Sequence, residues 1–311
     1  MNRLALRVPE DFPKIQDAIN AAAEGATVLI GAGLYKENLQ IGKSLRLVGT
    51  GQAQVQIRGA DANKSVISVV SKVPIQVYFQ GFTLGDLSAT APSPSPQLTA
   101  GLFIAGPVQA ILRQVTIAGL GAGVAAFSLM PGEFDPALIS FQPQTVLEEV
   151  RVVRNGGGIL GASVYVSILR SELSENGMGF TGDLLYMVKS TVRKNQLWGV
   201  NLEFSGYYGP QHLGRLDSNE IAENGVGVVL RAGEDATNSW LWMDENRIIK
   251  NQEYGIVVLS RACPMAIPPL AATLGKESAS IRIYGSENEL RDNAKADLCP
   301  SDYPWPPGFR K

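Results

Sequence analysis

Six copies of one short pattern, between Val150 and Asn293, constrain the fold of this 311-residue chain most strongly. Each copy has a small or apolar residue, a variable residue, an aliphatic residue, two variable residues and an asparagine. The six asparagines are Asn155, Asn176, Asn195, Asn224, Asn251 and Asn293. Five of them are followed closely by a glycine: Gly158, Gly179, Gly199, Gly227 and Gly255. Short β-type segments that recur at this spacing are typical of solenoids, in which each copy packs only against its neighbours.

The segments inside the copies are predicted strands, because Val, Ile and Leu alternate with polar residues at a period of two. Asparagine tolerates left-handed backbone geometry, so we expect it at the corner between two strands. Stacked corners place asparagines about 4.8 Å apart, close enough for their amides to bond between coils. We expect the glycines to supply the positive φ that leaves each corner. Opposite charges at one variable position (Glu220, Arg247 and Glu289) also fit parallel in-register strands.

The pattern therefore predicts an all-β chain: a single-stranded, right-handed parallel β-helix of about nine or ten rungs. Parallel crossovers are almost always right-handed. No linker interrupts the repeats, so residues 1–311 are predicted to be one domain. An amphipathic helix over residues 12–23 is expected to cover the N-terminal end, with Asp11 as its cap and Pro13 in its first turn. Residues 296–311, rich in proline and aromatic residues, are expected to form an irregular C-terminal cap.

Composition argues against several function classes. The formal net charge is −2, with 27 Lys and Arg against 29 Asp and Glu, so nucleic-acid binding is not expected. No apolar stretch approaches the roughly 20 residues of a transmembrane helix. One histidine and two cysteines are too few for a typical zinc site, and we expect neither a metal site nor a cofactor. The oligomeric state stays open.

The two cysteines, Cys263 and Cys299, are both followed by proline and both lie near the C-terminus. Two interpretations are open. They approach each other across neighbouring rungs and form a disulfide if the protein is exported, or they are two unconnected small core residues.

The N-terminal region resembles a known superfamily. The stretch from Ile15 to Ile30 (IQDAINAAAEGATVLI), the stretch from Gly33 to Asn38 (GLYKEN) and the stretch from Leu45 to Gly49 (LRLVG) are similar to the opening of pectin lyase-like proteins. The pectin methylesterases and the periplasmic β-helix repeat proteins are the most similar groups. The resemblance implies a right-handed β-helix, export to the periplasm or outside, and action on or binding to acidic polysaccharides. Residues 1–8 have no apolar core and are not expected to act as a signal peptide.

The catalytic motifs of these families are not retained. The first methylesterase aspartate is expected near residues 119–124, where no aspartate occurs. Asp183 is a weak match to the second aspartate. Arg215 is a weak match to the catalytic arginine, without the Pro-Trp neighbours of that motif. Nothing in the sequence requires Asp183 and Arg215 to converge. The mannuronan epimerase motif Phe-Asp-Pro-His is similar to Phe134-Asp135-Pro136, but Ala137 stands in place of its histidine.

The insertions between repeats enter at one phase, after the strand that follows each corner, so they are expected to emerge on one face. Two of these loops carry the candidate saccharide-binding residues Tyr207, Tyr208, His212, Glu234, Asp235 and Trp240. Aromatic rings stack on sugar C–H surfaces, and carboxylates and imidazole bond hydroxyl groups. The alternative is that the aromatics pack the loops onto the barrel, with Trp242 doing so as a strand residue.

Three function classes follow. The first is an exported carbohydrate-recognition β-helix that binds a polysaccharide on its loop-bearing face, with little or no catalysis. The second is a lyase, esterase or epimerase on uronate polymers with a site unlike the known families. The third is a structural or assembly module, supported by the regular charge ladder. A fold by itself does not decide between them.

Overall fold

The computed structural model describes residues 5–90, 99–128, 143–204, 212–232, 239–266 and 281–309. Residues 1–167 and residues 168–311 form two compact units. Both are built almost entirely from parallel strands. The prediction that the chain is one domain remains a prediction.

The first unit contains one helix, α1 (Ile15–Ala21), which lies between the first two strands. Its strands are β1 (Ala5–Val8), β2 (Thr27–Ile30), β3 (Gly33–Lys36), β4 (Leu39–Ile41), β5 (Leu45–Gly49), β6 (Val55–Arg58), β7 (Ile67–Val70), β8 (Ile75–Gly85), β9 (Ala100–Ala105), β10 (Val108–Ala118), β11 (Ala122–Phe127), β12 (Gln144–Glu148), β13 (Arg151–Val153) and β14 (Gly157–Leu169). The unit boundary falls near the end of β14.

The second unit contains the shorter and more regular strands. They are β15 (Glu172–Ser174), β16 (Phe180–Val188), β17 (Thr191–Arg193), β18 (Trp198–Phe204), β19 (His212–Asp217), β20 (Glu220–Ala222), β21 (Val226–Ala232), β22 (Ser239–Asp244), β23 (Arg247–Ile249), β24 (Tyr254–Val258), β25 (Ile281–Tyr284), β26 (Glu289–Arg291) and β27 (Ala296–Cys299). A single 3₁₀ turn, Pro307–Phe309, follows β27.

Three parallel sheets form the walls of each unit. In the first unit, sheet A contains β1, β2, β5, β12 and the first halves of β8 and β10. Sheet B contains β3, β6, β13 and the second halves of β8 and β10. Sheet C contains β4, β7, β9, β11 and β14. The chain visits A, B and C in turn, which is the connectivity of a parallel β-helix.

The second unit repeats this order. Sheet A contains the end of β16, then β19, β22 and β25. Sheet B contains β15, β17, β20, β23 and β26. Sheet C contains the start of β16, then β18, β21, β24 and β27. The core is a stack of inward aliphatic side chains, and the sheet B column of Leu173, Val192, Ile221, Ile248 and Leu290 is buried throughout.

Asparagines at the corner between sheets B and C bond to one another along the second unit. Asn176 Nδ2 donates to Asn195 Oδ1 at 3.1 Å, and Asn195 Nδ2 donates to Asn224 Oδ1 at 2.8 Å. The column continues from Asn224 to Asn251 at 3.2 Å and from Asn251 to Asn293 at 2.8 Å. Asn293 Nδ2 then donates to Asp297 Oδ1 at 2.7 Å, which ends the column. A parallel column at the corner between sheets A and B joins Asn219, Asn246 and Asn288.

The expectation about backbone conformation at these corners is wrong. The left-handed residue is the one before each asparagine. In chain order, φ is 57° at Glu175, 55° at Lys194, 57° at Glu223, 56° at Lys250 and 60° at Asp292. All five side chains are charged and exposed. The asparagines themselves are selected by their buried hydrogen bonds.

The glycines after the asparagines serve close packing rather than a positive φ. A Cβ on Gly227 would lie 2.4 Å from the carbonyl oxygen of Gly255, and one on Gly199 would lie 2.8 Å from that of Gly227. Real Cβ atoms do not approach backbone that closely. Successive coils therefore need glycine at this position.

Helix α1 begins three residues later than predicted and is not capped by Asp11. The carboxylate of Glu37, on the turn after β3, accepts the backbone N–H groups of Ile15 and Gln16 at 2.9 and 3.0 Å. Asp11 instead accepts the backbone N–H of Arg7 at 3.1 Å. The helix packs against β1, β2 and β4, which are among the first strands of the stack. A carboxylate distant in sequence thus satisfies the free helix N–H groups.

The C-terminal segment is more regular than predicted, because residues 296–299 form strand β27 beside β24. Beyond it, Trp305 and Phe309 are buried. The hydroxyl of Tyr303 accepts the backbone N–H of Ile281 at 2.9 Å, which fastens this segment to the last strand of sheet A. Within the described residues, no helix has the length and apolar character needed to span a membrane.

Candidate functional site

Most of the predicted saccharide-binding residues lie outside the described part of the chain. Tyr207, Tyr208, Glu234 and Asp235 fall in the ranges 205–211 and 233–238, which the structure does not describe. His212 is the first residue of β19, and its side chain is likewise outside the description. Trp240 lies on β22, half-buried on sheet A. Among the described residues, its indole N–H has no hydrogen-bond partner.

The two weak matches to catalytic residues, Asp183 and Arg215, are not brought together. Asp183 is buried within β16, just past the residues of this strand that pair with β18 in sheet C. Arg215 lies on sheet A beside Tyr186, and its guanidinium donates to Asp217 Oδ2 at 3.0 Å. Its second carboxylate neighbour is Asp244, 3.9 Å away. Arg215 is therefore engaged by the acidic side chains of its own sheet, and not by Asp183.

The structure joins Cys263 and Cys299 by a disulfide, with Cα atoms 5.9 Å apart. Cys299 ends β27 on sheet C, whereas Cys263 belongs to the segment 259–266, which follows β24. Cys263 and Met265 pack with Val229, Val257 and Trp198 in a cluster of buried side chains. The segment 259–266 thus lies over the outward face of sheet C and covers its last coils.

The same outward face becomes polar where that cover ends. Asn201 is the register partner of Val229, which in turn pairs with Val257, so these side chains point to the same side of the sheet. The amide of Asn201 donates to Glu203 Oε1 at 3.1 Å. Glu203 is exposed, so the face that it shares with Asn201 is the outward one.

Two further polar side chains join this group, which we call the sheet C cluster: Asp183, Asn201, Glu203 and Arg231. Arg231 pairs in register with Glu203 on the neighbouring strand. Continuing the register of β16 and β18 by one residue sets Asp183 beside Glu203 on the other side. Neighbouring strands are about 4.8 Å apart, so one acid, a second acid and a guanidinium follow one another along three coils.

The carbonyl oxygen of the Asn201 side chain is a buried acceptor within the cluster. Asn201 is 1% exposed, and its Oδ1 has no hydrogen-bond partner among the described residues. A buried acceptor without a donor costs about 1–3 kcal/mol. Its register partners, Val229 and Val257, show that an apolar side chain fits this column. The cost of keeping an amide here indicates a use for its oxygen.

The carboxylates of the cluster can accept hydrogen bonds from hydroxyl groups, and the guanidinium of Arg231 can pair with an anion. The ring of Trp198 lies beside them. The indole N–H of Trp198 donates to Thr181 Oγ1 at 2.9 Å on this face, which fixes the ring at the edge of the group. No set of three or more His, Cys, Asp or Glu side chains in the described ranges is arranged to hold a metal ion. The acceptors of the cluster have the chemistry to bond hydroxyl groups.

Sequence reasoning missed this cluster because polar residues on strands usually point to solvent and carry no signal. A signal was present in the position of Asn201, which stands where the next two copies carry Val229 and Val257. Glu203 and Arg231 also stand directly before the last residues of β18 and β21, where the chain leaves sheet C for the ranges 205–211 and 233–238.

Known proteins resemble this chain in fold but hardly in sequence. The chain matches no protein-family model and no curated protein. Among solved structures, XylC in complex with xylose has a TM-score of 0.57 at 8% identity, covering 94% of this chain and 83% of that one. Escherichia coli ybhc has a TM-score of 0.52 at 10% identity, covering 93% and 85%. The periplasmic alginate epimerase AlgG, as a double mutant, has a TM-score of 0.51 at 11% identity, covering 94% and 82%.

The chain has the right-handed parallel β-helix fold that these solved structures share. Identities of this size show the fold alone. The resemblance of the N-terminal region therefore holds for architecture, and the function depends on the side chains of the site.

Proposed function

We propose that the protein is an exported polysaccharide-recognition β-helix whose binding site is the sheet C cluster. The observation that carries the proposal is the buried Oδ1 of Asn201, for which the described residues supply no hydrogen-bond donor. Such an atom gains a hydrogen bond when a hydroxyl donor arrives. A site with a buried acceptor also discriminates strongly against ligands that lack the matching donor.

The other side chains suit the same class of ligand. Asp183 and Glu203 accept from hydroxyl groups, and Arg231 carries a planar guanidinium that matches a sugar carboxylate. Tyr207, Tyr208, Glu234 and Asp235 stay predicted contributors, since they follow β18 and β21 in the chain just after Glu203 and Arg231. Two structural neighbours point to the same chemistry, one solved with xylose and one described as a periplasmic alginate epimerase.

Export is supported by the disulfide between Cys263 and Cys299, because such bonds persist in oxidising compartments. A periplasmic or extracellular polysaccharide is consistent with that location.

A second candidate function is modification of the bound polysaccharide. The observation that favours it is the placement of Asp183 and Glu203 on adjacent strands of one face, since paired carboxyl groups perform acid–base work on sugars. Recognition without turnover leaves both carboxyl groups as hydroxyl acceptors. Turnover requires at least one of them to move a proton.

A glycan array followed by calorimetry on the ligands found tests recognition, and a product-release assay on uronate polymers tests turnover. Arg231→Ala is expected to weaken binding about tenfold or more, since a charged hydrogen bond is worth about 1.5–3 kcal/mol. Arg193→Ala is the matched control, because that arginine is exposed on sheet B and pairs with Glu172. Binding with no product supports recognition. Product release that Asp183→Asn and Glu203→Gln both abolish supports the second candidate, and absence of any glycan ligand overturns both.

A further inference from the structure

A second face of the same unit carries exposed aromatic side chains in register. Tyr186, Arg215, Trp242 and Tyr284 occupy the same outward column on the four strands of sheet A. Each stands four residues before the corner residue of its repeat. The three aromatic residues, which we call the sheet A strip, are 45%, 42% and 38% exposed in the order Tyr186, Trp242 and Tyr284. Exposed aromatic side chains grouped on one face of a sheet commonly mark a binding surface.

The rings of the strip are arranged so that part of each face remains open. Trp242 and Tyr284 stack with centroids 4.9 Å apart and planes inclined by 24°. Since carbon atoms in contact are about 3.5–4.0 Å apart, the rings are offset rather than eclipsed. Offset rings overlap only in part, so part of the face of each ring stays exposed to solvent. Partly open indole and phenol faces are suited to the C–H surfaces of sugar rings.

The size of the surface favours a chain-like ligand over a globular partner. Four strands span about 19 Å, and the outward run from Trp240 to Asp244 spans about 13 Å. That is roughly 250 Å², well below the ~800 Å² per partner of a standard protein interface. From Tyr186 to Tyr284 the strip runs about 14 Å across three strand spacings, which suits a short stretch of an extended polymer.

The charges beside the strip balance, which favours an uncharged ligand. Arg215 and Arg282 provide two positive charges, and Asp217 and Asp244 provide two negative ones on the same side of the sheet. Arg215 already donates to Asp217 at 3.0 Å, so it is not held ready for an anion. An acidic polymer lying along the strip would approach both aspartates.

From these observations we infer that the sheet A strip binds a neutral polysaccharide by ring stacking, at a place separate from the sheet C cluster. The protein thereby has two contact surfaces for glycan chains. One is a polar site with a buried acceptor and the other is an aromatic strip. The strip does not depend on the proposed function of the cluster.

Tryptophan emission reports on the strip directly. Trp198 and Trp305 are nearly buried and Trp240 is half-buried, whereas Trp242 is 42% exposed. Neutral hexasaccharides of β-1,4-linked glucose, xylose and mannose are titrated into the full chain, with an oligogalacturonate hexamer as the charged comparison. At least one neutral hexasaccharide is expected to bind, shift the emission to the blue and protect it from iodide quenching. Trp242→Ala is expected to weaken this binding about tenfold.

Three controls make the outcome decisive. Trp242→Phe keeps a ring and is expected to retain binding while the emission shift is lost. Leu34→Ala removes an exposed apolar side chain elsewhere and is expected to change nothing. Asn201→Val is expected to leave the neutral hexasaccharide bound, which separates failure of the strip from failure of the cluster. The inference is overturned if only the charged hexamer binds, if no hexasaccharide binds, if Trp242→Ala binds normally, or if Trp242→Ala instead abolishes self-association in sedimentation.

Discussion

The side-chain amide of Asn195 and its own backbone N–H both donate to Oδ1 of Asn224, at 2.8 and 3.0 Å. Asn224 repeats the arrangement one coil later, with Nδ2 and N donating to Asn251 Oδ1 at 3.2 and 3.0 Å. Each amide also donates to a carbonyl of the preceding coil, as Asn224 does to Val192 at 3.0 Å. These asparagines therefore satisfy backbone groups on the coils at either side of them.

Asn224→Ala is expected to lower the free energy of unfolding by about 2–4 kcal/mol, because buried donors and acceptors on both neighbouring coils lose their partners. Chemical denaturation at neutral pH measures the change. Gln196→Ala, at an exposed position just past the preceding corner, is the control and is expected to stay within about 0.5 kcal/mol. Equal losses in the two variants would contradict this role of the column.

Gly227→Ala is expected to destabilise the fold by about 2 kcal/mol or more, since its Cβ would lie 2.4 Å from the Gly255 carbonyl oxygen. Glu223→Gly, at the left-handed corner with φ 57°, is expected to change stability by no more than about 1 kcal/mol. Thermal and denaturant unfolding of the two variants separate close packing from backbone conformation. The reverse order would restore the expectation that the glycine is needed for its φ.

Replacing both Cys263 and Cys299 by alanine is expected to cost roughly 3–4 kcal/mol, because the disulfide closes a loop across a sequence separation of 36 residues. Wild-type protein is expected to unfold at lower denaturant concentration when a reductant is added, and the double variant to be insensitive to it. Two titratable thiols in denatured, unreduced protein from an oxidising compartment would contradict the bond.

Acid is expected to weaken the ion pairs that Glu289 forms on sheet B. Hydrogen bonds from Arg291 and then Arg247 lower the pKa of Glu289, the former at 2.5 Å and the latter at 2.9 Å. A carboxyl whose pKa is lower in the folded state stabilises the fold at pH values above its unfolded pKa. That contribution is lost as the pH falls through the folded pKa. Stability measured from pH 7 to pH 2 is expected to converge between wild type and Glu289→Gln at the acid end, and a constant difference would contradict the pairing.

The solenoid could be predicted from the sequence because each coil needs the same hydrogen bonds at its corners. A buried asparagine has few substitutes at a corner where two coils share its hydrogen bonds, so the residue recurs and shows the repeat. The left-handed residue before it could not be recognised in the same way. Glu223 and Lys250 are exposed, and their side chains reveal nothing about φ.

The cap of helix α1 and the site were harder to predict for a different reason. Glu37 accepts the N–H groups of Ile15 and Gln16 from more than 20 residues away in the sequence. A local sequence pattern therefore cannot predict this cap. Trp242 looked like a packing residue, yet it is 42% exposed and stacks on Tyr284. Counting back from the corner residues would have placed both on one outward column. The hydrogen bonding of Asn201 depends on which side chains the fold places around it, so the sequence alone does not show it.

Asn201→Val is the most direct test of the sheet C cluster, because it sets stability against binding. Valine matches Val229 and Val257 in the same column and removes an acceptor that has no partner among the described residues. The variant is expected to be more stable than wild type by about 1–3 kcal/mol and to lose the polysaccharide that wild type binds. Denaturant unfolding and calorimetry on the same two preparations measure both quantities. A variant that is less stable, or that binds as wild type does, would contradict the assignment of Asn201 to a ligand site.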